Sequence, residues 1–283
     1  MPSRGGYSTQ EKRIQAQNIE AKAVIGDNLQ KGKRRVAMEN RKAALITGGA
    51  TGIGKEVALM LAAKGIDIAI NYSRSEKDAM DTAALVQAAG VTCLPQKANV
   101  ADDQQVRAMV ENIVRHFGRL DYVVNGAGMT DFVDMADLEG LKEEHWDRAM
   151  AVNVKGLFFV SRAASGPLRK TCGSMVNIAS LAGLNGRGSS IAYAAAKAAA
   201  ISVTKSLAVV LAPEVRVNCV APGPVLSRWM AGREENVQKI AAATPLGRVC
   251  KPENVAEVIV PLLLSASMVT GQTVLIDGGA RMQ

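Results

Sequence analysis

Histidine and cysteine are scarce: 283 residues hold two of the first and four of the second, and the cysteines at 93, 172, 219 and 250 form no CxxC pair. A zinc site needs such ligands clustered, so metal is excluded and free, buried thiols are expected. Aromatic side chains are only 4% of the chain, yet hydrophobic ones reach 48%, the composition of a globular protein rather than a disordered or collagenous one. Long hydrophobic runs are missing too. The longest charge-free stretch, 258–276, contains Pro261, Gly271 and Gln272, so it reads as helix, loop and strand rather than a membrane span. The N-terminus has no apolar core of secretory type, and its acidic residues argue against a transit peptide, which leaves the cytoplasm as the expected compartment.

Charge of one sign is lacking where it would matter. The formal net charge is +8, but residues 1–42 hold ten Lys/Arg and four Asp/Glu, and the remainder holds 24 basic against 22 acidic. The part that folds is nearly neutral, so no nucleic-acid face and no membrane-binding surface is expected.

From residue 41 onward the pattern is regular. Strands are expected at 43–47, 66–71, 91–95, 120–125, 174–179, 215–220 and 273–276, with helices at 53–64, 75–89, 102–117, 141–164, 191–211 and 253–264. Such alternation implies an α/β fold, a parallel sheet flanked by helices, and strands apolar throughout fit burial on both faces. One domain, 41–283, accounts for all of it. Residues 1–40 form a basic extension outside this repeat: a polar helix at 11–24 is conceivable, its apolar stripe is weak, and 31–35 is a basic run. Pro261, inside the last helix, should bend it or delay its start.

Thr47 closes the first strand and leads through Gly48, Gly49, Ala50, Thr51, Gly52, Ile53 and Gly54 into a helix. Glycines let backbone approach a diphosphate, and the helix N-terminus offers free amides, so this is a dinucleotide site. NAD enzymes often place an acid at the end of the second strand. Here Asn71-Tyr72-Ser73-Arg74 carries none, and Ser73 and Arg74 suit a 2′-phosphate, favouring NADP(H) over NAD(H). Tyr193 and Lys197 stand one helical turn apart, and an ammonium there should lower the phenol pKa and make Tyr193 an acid/base.

With these residues in place the chain resembles the short-chain dehydrogenase/reductase family over 42–279: TGxxxGxG at 47–54, Asn125-Gly126-Ala127-Gly128 for NNAG, Asn153 in the fourth helix, Ser180 after the fifth strand, YxxxK at 193–197, Pro222-Gly223, and IDGG at 276–279. The resemblance implies a Rossmann-type, doubly wound, seven-stranded parallel sheet in a single domain. It implies that Tyr193 exchanges a proton with the carbonyl oxygen and that Ser180 hydrogen-bonds that oxygen. Lys197 lowers the Tyr193 pKa and holds the nicotinamide ribose, Asn153 positions a water, and hydride passes between nicotinamide and substrate carbon. Cofactor contacts are implied for Gly48, Thr51, Gly52, Ile53, Gly54, Ser73, Arg74, Asn99, Val100, Asn125, Ala127, Gly128, Tyr193, Lys197, Pro222, Gly223 and Val225. Two departures stand out. Gly126 replaces the second Asn of NNAG, freeing backbone to approach the cofactor, and Asn99 replaces a frequent Asp, its amide oxygen keeping an adenine contact.

The substrate pocket is expected above the carboxyl ends of the strands, lined by Met129, Leu181, Leu184, Asn185, Arg187, Pro224, Val225, Trp229 and Met230. Arg187 is either an anchor for a substrate carboxylate or a solvated loop residue. Three functions compete: a carbonyl reductase or alcohol dehydrogenase acting on a small or cyclic ketone; a 3-oxoacyl-acyl-carrier-protein reductase, opposed by the acids Asp131 and Glu214 where basic residues would dock the carrier; and a non-catalytic dinucleotide-binding sensor or scaffold. Relatives of this kind assemble as tetramers or dimers through the fourth and fifth helices, and Val209-Val210 fits such a surface.

Overall fold

Successive side chains of a strand point to opposite faces, and here both faces are covered. β1 (Ala43–Thr47) sends Ala44 and Ile46 to one core and Leu45 to the other, and β2 (Asp67–Tyr72) likewise divides Ile68 and Ile70 from Ala69. With β3 (Cys93–Lys97), β4 (Tyr122–Asn125), β5 (Ser174–Ile178), β6 (Arg216–Pro222) and β7 (Thr273–Ile276), they form one sheet in the order β3-β2-β1-β4-β5-β6-β7, every pair parallel. The structure, a computed structural model, describes residues 41–227 and 234–281, without the side chains of 234–236. The expectations for residues 1–40, Trp229 and Met230 lie outside the described residues.

Against one face pack α1 (Gly52–Ala62), α2 (Glu76–Ala88) and α9 (Pro252–Leu264), through Val57, Leu61, Val86 and Ile259. Against the other pack α3 (Asp103–Phe117), α5 (Leu157–Thr171) and α7 (Ile191–Leu211), through Ile113, Val160, Leu168 and Leu207. Strand order reverses between β1 and β4, so the loops leaving their carboxyl ends diverge and a crevice opens there.

Several boundaries differ from expectation for physical reasons. β3 continues through Pro95 to Lys97, tolerable because it is an edge strand bonded only to β2. The expected helix 141–164 is α4 (Glu143–Met150), a π-helical turn (Ala151–Gly156) and α5, which passes Pro167 and ends at Thr171 because Leu168 still packs into the core. α9 begins at Pro252, where a missing N–H costs nothing, and stays helical through Pro261, so no late start occurs. α6 (Ala182–Asn185) and α8 (Glu234–Ala243) were not expected. Among the described residues one helix, α7, is long and apolar enough to cross a membrane; it is a core helix that buries Ala196, Ala200, Thr204 and Leu211.

Candidate active site

The loop after β1 is held from three sides. Thr47 Oγ1 accepts the N–H groups of Gly126 and Ala127, each at 3.1 Å. Thr82 Oγ1 donates to Ala50 O at 2.9 Å. A Cβ on Gly54 would lie 2.4 Å from Gly48 O, so only glycine lets α1 start this close to the turn. Gly48 itself has φ +66°, open to glycine at little cost. Thr51 caps α1 without a side-chain hydrogen bond and its first turn carries no acid. Its amides and positive dipole end are therefore uncommitted, and a Cβ on Gly52 would meet nothing within 4 Å. This cradle fits a dinucleotide diphosphate.

The cradle opens into a crevice of about 2140 Å³. Of the residues expected around a cofactor, Gly48, Thr51, Gly52, Ile53, Gly54, Ser73, Arg74, Asn99, Val100, Ala127, Gly128, Pro222, Gly223 and Val225 line it. Ser180, Tyr193 and Lys197 meet at its other end, with Met129, Leu181, Asn185, Arg187 and Pro224.

Two expectations need correction, for Asn125 and Leu184. Asn125 is outside the crevice: its Nδ2 donates to Asn177 Oδ1 at 2.8 Å and Ser161 Oγ at 3.0 Å inside the core, tying β4 to β5 and α5. Leu184 also lies outside, with its side chain exposed on α6. Asn99, which does line the crevice, also turns its own loop, its Oδ1 accepting the Ala101 N–H at 3.1 Å. Gly126 lines the crevice with its backbone, and a Cβ there would stand 2.8 Å from Thr47 O, so only glycine fits between β1 and that wall.

Asn153 sits in the π turn, 2% exposed and behind the crevice wall. Its Nδ2 donates to Met129 O at 2.9 Å and Ala149 O at 3.0 Å, and its Oδ1 accepts the Met129 N–H at 3.3 Å. The side-chain amide thus holds Met129 in the wall.

Ser190 caps α7 by accepting the Tyr193 N–H at 3.2 Å, which fixes where the phenol enters the crevice. Lys197, one turn on, donates to Ile178 O at 2.9 Å, and its Nζ stands 5.6 Å from the centroid of the Tyr193 ring. The ammonium is therefore aimed at β5, not at the phenol oxygen. Burial pushes the Tyr193 pKa up to about 12, partly offset by a hydrogen bond with Ser180. The net shift is thus opposite to the lowering expected from Lys197, with burial its largest cause and Ser180 the group that opposes it. Burial also draws Lys197 down to about 8, against a small opposing effect from Cys219.

Sequence reasoning missed the wall after β4. Residues Thr130 to Met135 line the crevice, fastened by a Thr130 Oγ1–Ser189 Oγ hydrogen bond and by Val133 N–H to Ser189 O at 2.9 Å. No periodicity marks this stretch; only its position after Asn125-Gly126-Ala127-Gly128 pointed to it. The acids thought to oppose a carrier are both matched by arginine: Asp131 Oδ1 lies 3.0 Å from Arg148 Nη2, and Glu214 pairs with Arg169.

The family model described as Enoyl-(Acyl carrier protein) reductase matches residues 48–281. The 3-oxoacyl-acyl-carrier-protein reductase of Thermotoga maritima is 40% identical over 243 residues, 84% of this chain and 97% of its own. A short-chain dehydrogenase/reductase structure from Burkholderia xenovorans superposes with a TM-score of 0.82 at 35% identity, covering 85% of this chain and 98% of its own. An NAD+-bound xylitol dehydrogenase gives 0.79 at 29%, covering 84% and 98%. A glycine cradle and a Tyr-Lys turn at one crevice, in a chain this similar along its length to named reductases, identify a member of the short-chain dehydrogenase/reductase family, a nicotinamide-dependent oxidoreductase acting between alcohols and ketones.

Proposed function

We infer that the enzyme is an NADPH-dependent ketone reductase with Tyr193 as its proton donor and residues 41–283 as its catalytic domain. The observation that carries this reading is the meeting of Ser180, Tyr193 and Lys197 at one end of the crevice that begins at the uncapped α1 N-terminus. When bound, the nicotinamide supplies the hydride. Ser180 Oγ accepts the Ala182 N–H at 3.2 Å and is hydrogen-bonded to Tyr193, so the two hydroxyls together face the place a carbonyl oxygen would take. Tyr193, protonated at any ordinary pH by its burial, gives its proton to the same oxygen as negative charge grows there. Lys197 holds the ribose, and the Asn153 side chain holds Met129 in the crevice wall.

The 2′-phosphate preference rests on β2. Asn71 near its end is buried, donating to Ala98 O at 3.0 Å, and no carboxylate stands between it and Arg74. Arg74 is exposed at the crevice with no ion-pair partner among the described residues. A guanidinium fork fits phosphate. Replacing Tyr193 with Phe should cut kcat at least about 100-fold while NADPH still binds, as read by fluorescence titration. Replacing Arg74 with Ala should lower kcat/KM for NADPH about tenfold and spare NADH. Turnover surviving in the first variant, or equal losses in the second, would overturn the respective assignment.

A second reading has a specific observation behind it. With Asp131 and Glu214 neutralised by Arg148 and Arg169, the electrostatic objection to a 3-oxoacyl chain delivered by an acidic carrier is removed, and several relatives carry that activity in their names. A carrier-linked substrate reduced far faster than the same acyl group on a small thiol would favour it. Assembly into dimers or tetramers through α4, α5 and α7 is part of the proposal, since Val209 and Val210 on α7 and Phe158 on α5 are exposed.

A further inference from the structure

The substrate end of the crevice carries more positive charge than proton transfer from Tyr193 uses. Arg187 lines it from the loop between α6 and α7, and the loop is fixed on both sides of that residue. Asn185 Oδ1 accepts the Arg187 N–H at 2.9 Å, and Ser189 O accepts the Val133 N–H at 2.9 Å. Between them, Gly188 packs so closely that a Cβ there would stand 3.0 Å from Ala182 Cβ and 3.4 Å from Tyr193 Cδ1. The backbone bearing the guanidinium is therefore set one residue away from contact with the reacting phenol's ring.

Arg187 has no ion-pair partner among the described residues. Among the described residues the other charged groups lining this end are Lys197, bonded to Ile178 O; Arg148, balanced by Asp131 at 3.0 Å; Asp134, whose Oδ1 accepts the Ala136 N–H at 2.8 Å; and Lys239 on α8, which also has no ion-pair partner among the described residues. The balance is positive. A planar fork of donors on a fixed loop matches the oxygen pair of a carboxylate or phosphate far better than it matches a neutral ketone tail.

We propose that Arg187 selects ketones bearing an anionic terminus, carboxylate or phosphate, and grips that terminus so that the carbonyl is presented to Tyr193. This rests on the ketone-reductase reading above and names its substrate class. Arg187 is a specificity residue: it binds the far end of the substrate and takes no part in the transfer of hydride or proton.

The test uses the full chain with NADPH. Initial rates on 3-oxo and 4-oxo carboxylates of four to six carbons are compared with those on their methyl esters, and an oxoalkyl phosphate with its neutral dimethyl triester. For one anionic series kcat/KM should exceed that of its neutral partner about 10- to 100-fold, mostly through KM, and the series that shows it identifies the anion. In Arg187→Gln that ratio should fall toward one, and in Arg187→Lys it should be partly kept, with thermal unfolding of both variants matching the parent. Neutral substrates reduced as well as the anions, or a Gln variant that weakens acid and ester alike, would overturn the anion site and leave the reductase reading standing. An enzyme that reduces none of them with NADPH or NADH overturns both.

Discussion

Lys197 is buried at a cost that its function requires. An ammonium without a carboxylate partner, 5% exposed and satisfied by Ile178 O, loses most of its hydration, which is why its pKa falls from 10.5 to about 8. In the cofactor-free protein the unfolded chain then holds more protons between pH 8 and 10.5, so stability should rise with pH across that window, and below it the full penalty applies. Lys197→Met should accordingly stabilise the cofactor-free protein at pH 7 by about 1–4 kcal/mol, because the desolvation relieved exceeds the roughly 1–3 kcal/mol for leaving one carbonyl unpaired. Urea unfolding checks this. The same variant should lose nearly all turnover. In the parent, ketone reduction should hold steady to about pH 8 and then decline as Lys197 loses its proton, whereas alcohol oxidation, which needs the Tyr193 phenolate, should climb through that range. A reduction rate that rises above pH 8 would contradict the assignment.

At the scale of elements, the turn from β1 into α1 has no slack. Gly54→Ala would force its methyl to within 2.4 Å of Gly48 O, so the turn must open; NADPH affinity should drop at least about tenfold, with a stability loss of about 1–3 kcal/mol. Calorimetric titration and thermal unfolding read the two separately. The glycines, the strand before them and the helix after them were all legible in the sequence because their pattern is local. The five inner strands were legible because burial on both faces leaves no polar alternation to confuse them. Asn125 was misassigned because a strand-end amide can turn either toward the crevice or into the core, and Asn177 on the neighbouring strand decides which. The effect of Lys197 on Tyr193 was misjudged for a related reason: spacing places two groups on one helix face but says nothing about how much water surrounds them or which oxygen the ammonium reaches.

Taken as a whole molecule, the fold leaves two adjacent large apolar side chains on the surface of one helix. Val209 is 79% and Val210 66% exposed, side by side near the end of α7, and all four residues of β7, the other edge strand, are only half-buried. Apolar side chains left side by side in water mark a surface suited to association. Replacing both with Glu should reduce the sedimenting mass to that of one chain while Tyr193, at the far end of the same helix, keeps its cap from Ser190. An unchanged mass would place the interface elsewhere or show that the parent is already a monomer. The π turn has a consequence on the same scale. Because Ala151–Gly156 carries an extra residue's worth of backbone, deleting one position there would let the helix rewind to its ordinary pitch and swing everything before it by about 100°. Asn153 would then let go of Met129, and the wall that frames the reacting carbon would come loose from a helix that had, by the usual standards of helical geometry, been repaired.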